Sequence, residues 1–90
     1  MKKNSRQLER HFKGIANHRR IDILFLIRKS GGLTLDDIAK QLGVNFKTIS
    51  EHTRRLFLSG LISKKNIGNK VLHELTPRGR TILKFLRTLE

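Results

Sequence analysis

The chain contains no cysteine, only seven acidic residues, a single proline, and no apolar run longer than Ile23 to Ile27. Each scarcity excludes something. Without thiols there is no disulfide framework, no thiolate metal site and no cysteine nucleophile. The start MKKNSRQLERHFKG carries the positive charge of a secretion signal, but no apolar segment follows it, and five apolar residues cannot span a bilayer. The expectation is a soluble, cytoplasmic chain that stays off the membrane. The few carboxylates include the neighbours Asp36 and Asp37, placed to cap a helix rather than to converge on a substrate. No Gly-rich phosphate loop and no nucleophile with a base accompanies them, so the chain does not read as an enzyme and no cofactor is expected.

What is abundant is positive charge. Twenty Lys and Arg against the seven acids give a formal charge of +13 over 90 residues, spread from Lys2 to Arg87. That balance favours a polyanionic partner, nucleic acid ahead of an anionic membrane surface. Charge serving solubility alone usually mixes the signs more evenly. The length fits one domain over residues 1–90, and a chain this short hides only roughly 60% of its unfolded surface, so its stability can depend on a partner subunit.

Apolar periodicity and capping residues divide the chain. Leu8, Phe12 and Ile15 lie at helical spacing among charges, giving an amphipathic helix over about Ser5 to Gly14. Asn17 caps a second helix, apolar on almost every side up to Ser30 and the Gly31-Gly32 stop. Thr34 with Asp37 forms a capping box for a short third helix, about Leu35 to Leu42, with Ile38, Ala39 and Leu42 on one face. Gly43 turns the chain, Asn45 caps a fourth helix from Phe46 to about Ser59, and Gly60 ends it. LISKK and KVLHELT flank NIGN, whose Gly and Asn residues tolerate the positive φ of a tight hairpin. Thr76 and Pro77 open a last helix carrying Ile82, Leu83, Phe85, Leu86 and Leu89. The fold class is therefore mainly α with a small β-hairpin (α+β), in the order α-α-α-α-β-β-α.

Two helices joined by a glycine turn, the second capped and basic, make a helix-turn-helix, and the basic hairpin behind it is a wing. The segments ANHRRIDILFLI, LTLDDIAKQLGVNFKTISEHTRRLFLSGLI and NIGNKVLHELT resemble the successive motifs of the ArsR-type winged-helix transcriptional regulators, and LTPRGRTIL is similar to the end of a MarR-type domain. The resemblance covers about Ala16 to Leu83. It implies that Asn45 to Arg55 is a recognition helix lying in the major groove of double-stranded DNA, with the wing on the flanking backbone or minor groove. The residues agree with this. With Ile49 and Leu56 inward, together with His52 or Thr53, the side chains of Lys47, Thr48, Ser50, Glu51 and Arg54 project outward. Lys47 and Arg54 can meet phosphates or guanine edges, Thr48 and Ser50 can donate, and Asn45 offers an amide. Glu51 either accepts from a cytosine amino group or pairs with Arg54, the preferred reading. Phe46 stands where the resembling family usually has a polar residue. Its ring either meets thymine methyl groups or folds back on Val44, and partial burial with the ring edge near DNA is expected. In the wing, Lys64, Lys65, Asn69 and Lys70 surround Gly68 and suit phosphate contact, while Ile67 is expected to pack on the hairpin rather than wedge into a groove. Phe25 and Phe57, also at commonly polar places, either form a contact surface or enlarge the core.

Four histidines, His11, His18, His52 and His73, lie on separate elements without the spacing of a zinc motif, and the third and last helices lack the ligands with which ArsR-type proteins sense metals. Metal sensing is not carried over. Leu8, Phe12 and Ile15 on the first helix and Ile82, Phe85, Leu86 and Leu89 on the last offer more apolar surface than the chain can cover alone. The resemblance implies that residues 1–15 and 77–90 are dimerisation elements of a homodimer. A two-fold dimer places its recognition helices about 34 Å apart, which suits a palindromic site. The alternative is that the two helices pack on each other within one chain. Against sequence-specific regulation stand two other functions, a non-specific architectural DNA-binding protein and a winged-helix module that binds protein.

Overall fold

Every helix starts at a side-chain cap. In the computed structural model, which describes residues 4–90, Asn4 and Gln7 exchange side-chain to backbone hydrogen bonds of 2.9 and 3.1 Å at the start of α1 (Ser5–Ile15). Asn17 accepts from the Arg19 amide at 2.9 Å ahead of α2 (His18–Ser30). Thr34 and Asp37 form the expected capping box of α3 (Leu35–Leu42), and its bonds to the carboxylate, from the Thr34 side chain and backbone, hold the Asp37 carboxyl below its ordinary pKa. Asn45 caps α4 (Phe46–Leu58), and Thr76 caps α5 (Pro77–Arg87) while donating its hydroxyl to the Gly60 carbonyl at 2.7 Å. Each cap satisfies amides that the first helical turn leaves without a partner.

Between α4 and α5, β1 (Ile62–Ile67) pairs antiparallel with β2 (Lys70–Leu75), from Ile62 opposite Leu75 to Ile67 opposite Lys70. Gly68 takes φ 62° at the first central position of the two-residue turn, the place where a type II′ hairpin needs glycine. Asn66 and Asn69 keep negative φ, so only Gly68 uses the left-handed freedom expected of the whole NIGN stretch. One pairing was not anticipated. Leu33 bridges to His73, with amide to carbonyl bonds of 3.2 and 2.8 Å, adding a one-residue strand to the sheet.

Helix α2 is the hub, packed by α1, α3, α4, α5 and β2, which is why its apolar residues face almost every direction. Ile23, Leu24 and Ile27 are fully enclosed, joined by Ile38, Ile49, Leu56, Leu61, Ile62 and Leu83, and Phe25 packs against this core half-buried. Ile15 is also buried, within this chain's own core, because it sits on the α1 face that turns toward the rest of the chain. It is therefore removed from the residues offered to a second subunit. Nor do the first and last helices complete a core together: α1 packs on α2 and α4, α5 on α2 and β2.

Gly79 allows α5 to lie directly on the chain at Leu61, for a Cβ there would overlap the Leu61 carbonyl oxygen. Replacing glycine by alanine inside a helix ordinarily stabilises it by about 0.5–1 kcal/mol. Here the sign is expected to reverse. Overpacking against backbone should cost about 1–3 kcal/mol, and Gly79→Ala should lower the thermal midpoint by several degrees in calorimetry; a raised midpoint would show that α5 does not make this approach.

His73 is 3% exposed and donates its Nδ1 proton to the Leu33 carbonyl at 2.9 Å. Burial lowers its pKa, the Leu33 bond opposes that, and the nearby Lys64 charge adds to the lowering. The unfolded chain, with a histidine pKa near 6.5, then binds more protons than the folded one between the two values, so stability rises with pH there. The contribution is complete above the unfolded value and is lost as pH falls through the folded one. The thermal midpoint is expected to drop from pH 7 to pH 5, and by less in His73→Gln; a parent midpoint equal at both pH values would contradict the assignment.

Candidate nucleic-acid interface

The α3–α4 pair is held by a turn in which Gly43 adopts φ 64° and the Val44 amide returns to the Ala39 carbonyl at 3.1 Å. Ile49, Thr53 and Leu56 face the core, so Thr53 rather than His52 takes the inward position, and its Oγ1 is buried without a hydrogen-bond partner. That choice of inner face decides what α4 offers to solvent. Lys47, Glu51, Arg54 and Leu58 recur at i, i+4, i+7 and i+11 along its exposed side, with Thr48 beside them, while Ser50 is half-buried at the margin. Leu58, 60% exposed at the end of this row, is a member that the sequence pattern left unmarked although the same spacing includes it.

The Asn45 side-chain oxygen is engaged by the Lys47 and Thr48 amides at 2.8 and 3.3 Å, leaving only its NH₂ for a partner. Glu51 is an ion-pairing residue. It accepts from Arg54 through Nε and Nη2, at 3.2 and 2.9 Å, and from Arg55 Nε at 3.2 Å. The hydrogen bonds from Arg54 and then Arg55 hold its carboxyl down at about 2. Pairs this exposed contribute little to stability. What they supply is orientation, since Glu51 is ionised at any physiological pH and fixes both guanidinium groups along one side of the helix.

Phe46 is 52% exposed, about half covered, and is not among the side chains packed against the core. The ring instead borders an open cleft of about 470 Å³ between α3, α4 and the wing, shared with Leu35, Lys64, Lys70 and Val71. Phe57 is likewise exposed, at 40%, and receives the Lys64 ammonium 4.5 Å from its ring centre. This cation–π contact joins the base of the wing to α4. Lys65, Asn69 and Lys70 are exposed, the last two along the same cleft, and Ile67 at the wing tip is 49% exposed.

The basic surface continues past α4. A cleft of about 500 Å³ between α1 and α4 is lined by Arg6, Arg10, Lys13, Arg20 and Arg55, with Glu9 as its carboxylate. Of the proposed subunit contacts, Phe12, Phe85 and Leu89 are exposed at 52–68%, and Leu8, Ile82 and Leu86 are half-buried. Among the described residues no three His, Asp or Glu side chains converge as metal ligands, and no helix is long and apolar enough to cross a membrane.

This arrangement of helix-turn-helix and wing has counterparts. A family model, that of the MarR family, matches residues 16–69, which run from α2 to the turn of the wing. The chain belongs to the MarR family. The match falls on the helix-turn-helix and first strand of this MarR-family chain, not on the LTPRGRTIL segment that carries the resemblance in sequence. Among solved structures it is similar to a homodimeric winged helix-turn-helix DNA-binding domain from Mycobacterium bovis, described as a possible ArsR-family transcriptional regulator, with TM-score 0.84, 25% identity, and coverage of 92% of this chain and 77% of that one. HlyU from Vibrio cholerae superposes with TM-score 0.84 at 24% identity, covering 99% and 97% of the two chains. A possible transcriptional regulator for arsenical resistance gives TM-score 0.71 at 26% identity, over 87% and 80%. A comparison with curated proteins finds no match. The MarR-family chain thus has the fold of winged-helix DNA-binding regulators, a family of transcriptional regulators and not of enzymes.

Proposed function

We propose that this chain is a cytoplasmic, sequence-specific transcriptional regulator that binds double-stranded DNA as a homodimer, with the outward side of α4 in the major groove and the wing on flanking phosphates. The observation that carries the reading is the row of Lys47, Thr48 and Arg54 on the exposed side of a helix whose opposite side is fully buried, next to a lysine-rich hairpin. Residues 1–90 act as one domain, with parts of α1 and α5 meeting a second subunit. Uncovered Phe12, Phe85 and Leu89 support that assembly, as does the homodimeric state of the Mycobacterium bovis domain. A two-fold dimer of this kind suits a palindromic target.

Lys47 stands near the N-terminal end of α4 and is assigned to base edges; Arg54, oriented by Glu51, is assigned mainly to phosphate. After selection of a preferred duplex from a random pool, Lys47→Ala is expected to weaken binding to it by about 1–3 kcal/mol, and Arg54→Ala to weaken preferred and random duplexes alike. Fluorescence anisotropy at fixed salt reads both; unchanged affinity in both variants would remove α4 as the reader.

A second reading, non-specific architectural binding, draws support from Asn45 and Arg54, whose polar groups are partly committed within the protein. Competition between the selected duplex and random duplex separates the two. Equal competition would favour the architectural role.

A further inference from the structure

The junction between α1 and α4 is built around one arginine. Arg20, on the first turn of α2, donates through Nη1 to the Lys13 carbonyl at 3.0 Å and the Gly14 carbonyl at 3.3 Å, two acceptors at the C-terminal end of α1. Through Nε it donates at 3.2 Å to Nδ1 of His52, on α4. The same two helices meet again two turns further along α4. His11 Nδ1 donates to the Ser59 carbonyl at 2.7 Å, and Gly14 lies so close to the Ser59 side chain that a Cβ there would overlap it. Recognition helix and first helix are therefore joined as one unit, and Arg20 is the link that touches α1, α2 and α4 together.

We propose that Arg20 is a positioning residue for DNA recognition, holding α4 at a fixed angle to α1 through the neutral ring of His52, and that protonation of His52 releases this hold. The chemistry follows from the donor inventory. Nδ1 of a neutral imidazole can accept from Arg20 only when the ring proton is on Nε2, and an imidazolium has no acceptor at all. A proton gained on Nδ1 would face the guanidinium N–H and its charge.

The charges that bear on His52 come from α2, namely Arg20, His18 and Arg19, and from Glu51 on its own helix, while the Lys13 ammonium of α1 is held by Glu9 at 2.7 Å. Burial and then the Arg20 charge lower the His52 pKa, with Glu51 opposing. The link is intact at neutral pH and opens on mild acidification, below the ordinary histidine value.

The proposal rests on the DNA-binding reading for its consequence but not for its geometry, so two measurements are paired. The first is the ratio of affinities for the selected duplex and a random duplex of equal length, which cancels most of the added attraction of a charged histidine for DNA. Between pH 7.5 and 5.5 the parent ratio is expected to fall about three- to tenfold, the scale of one ordinary intramolecular hydrogen bond. Arg20→Gln should show the low ratio at both pH values. His52→Gln, whose side-chain oxygen can accept from Arg20 without titrating, should keep the high ratio at both. An Arg20→Gln profile identical to the parent's overturns the proposal, and so does a His52→Gln variant that still loses selectivity in acid.

The second measurement needs no DNA. Amide hydrogen exchange of α1, corrected for its intrinsic pH dependence, should accelerate at pH 5.5 in the parent, and by clearly less in His52→Gln, which keeps only the general loss of stability that His73 brings. If no duplex is preferred, the DNA reading fails and the exchange data alone decide: α1 protection in the parent that is equal at both pH values sinks the link. Should Arg20→Gln fail to fold, the comparison of parent with His52→Gln carries both measurements.

Discussion

Replacing Phe85 and Leu89 together by glutamate is expected to turn a dimeric parent into a monomer and to abolish preferential binding of a palindromic duplex. Phe85 is 52% and Leu89 68% exposed, the first on α5 and the second in the turn that follows its C-cap Thr88. A fully buried Phe or Leu is stabilised by about 1.5–3 kcal/mol relative to exposure. A two-fold interface uses each residue twice. With about half of each phenylalanine and a third of each leucine already covered, the four side chains together should contribute about 4–7 kcal/mol, a dissociation constant changed by a hundredfold or more. The glutamates would also bring four carboxylates together across the axis. Both positions lie outside this chain's own core, so the variant should remain folded, and circular dichroism checks this alongside sedimentation equilibrium. A parent that sediments as a monomer at high micromolar concentration would remove the dimer, and the palindromic target with it.

The features legible in the sequence are those decided within a few residues. Asn17, Thr34 with Asp37, Asn45 and Thr76 mark helix starts because a cap needs only its own first turn, and the Gly68 turn is likewise local. The α4 face could be narrowed but not completed. Period alone leaves His52 and Thr53 as rivals for the inward position, and the approach of Arg20 from α2 settles the matter by giving His52 a partner at the margin. Ile15 departs from expectation for a related reason. Amphipathic spacing shows which residues share a stripe, whereas burial depends on what other elements place beneath it. The Leu33 bridge to His73 is invisible in sequence, since one residue pairing across a separation of 40 leaves no periodic trace. The Phe57 contact with Lys64 needs the wing to fold back on α4, a distance no local pattern encodes.

That same contact sharpens the expectation for the wing. Lys65 and Lys70 extend into solvent on either side of the turn, whereas Lys64 stands at the base, its ammonium over the Phe57 ring. None of the three takes part in an ion pair among the described residues, and the tip offers little shaped for base edges. The wing should therefore add affinity through phosphate neutralisation, which is independent of sequence and depends on counterion release. Converting Lys64, Lys65 and Lys70 to Gln is expected to flatten the plot of log K against log salt by about 0.9 for each phosphate that the wing no longer neutralises, and converting Lys65 and Lys70 alone to weaken selected and random duplexes in parallel. Lys64→Gln alone should behave differently. It removes one charge but also the cation–π contact that sets the wing against α4, so it should weaken the selected duplex more than the random one. A triple-variant slope equal to the parent's would mean that the wing never reaches the backbone. A single Lys64→Gln variant that weakens both duplexes equally would reduce Lys64 to one more phosphate contact, with no part in aligning wing and recognition helix.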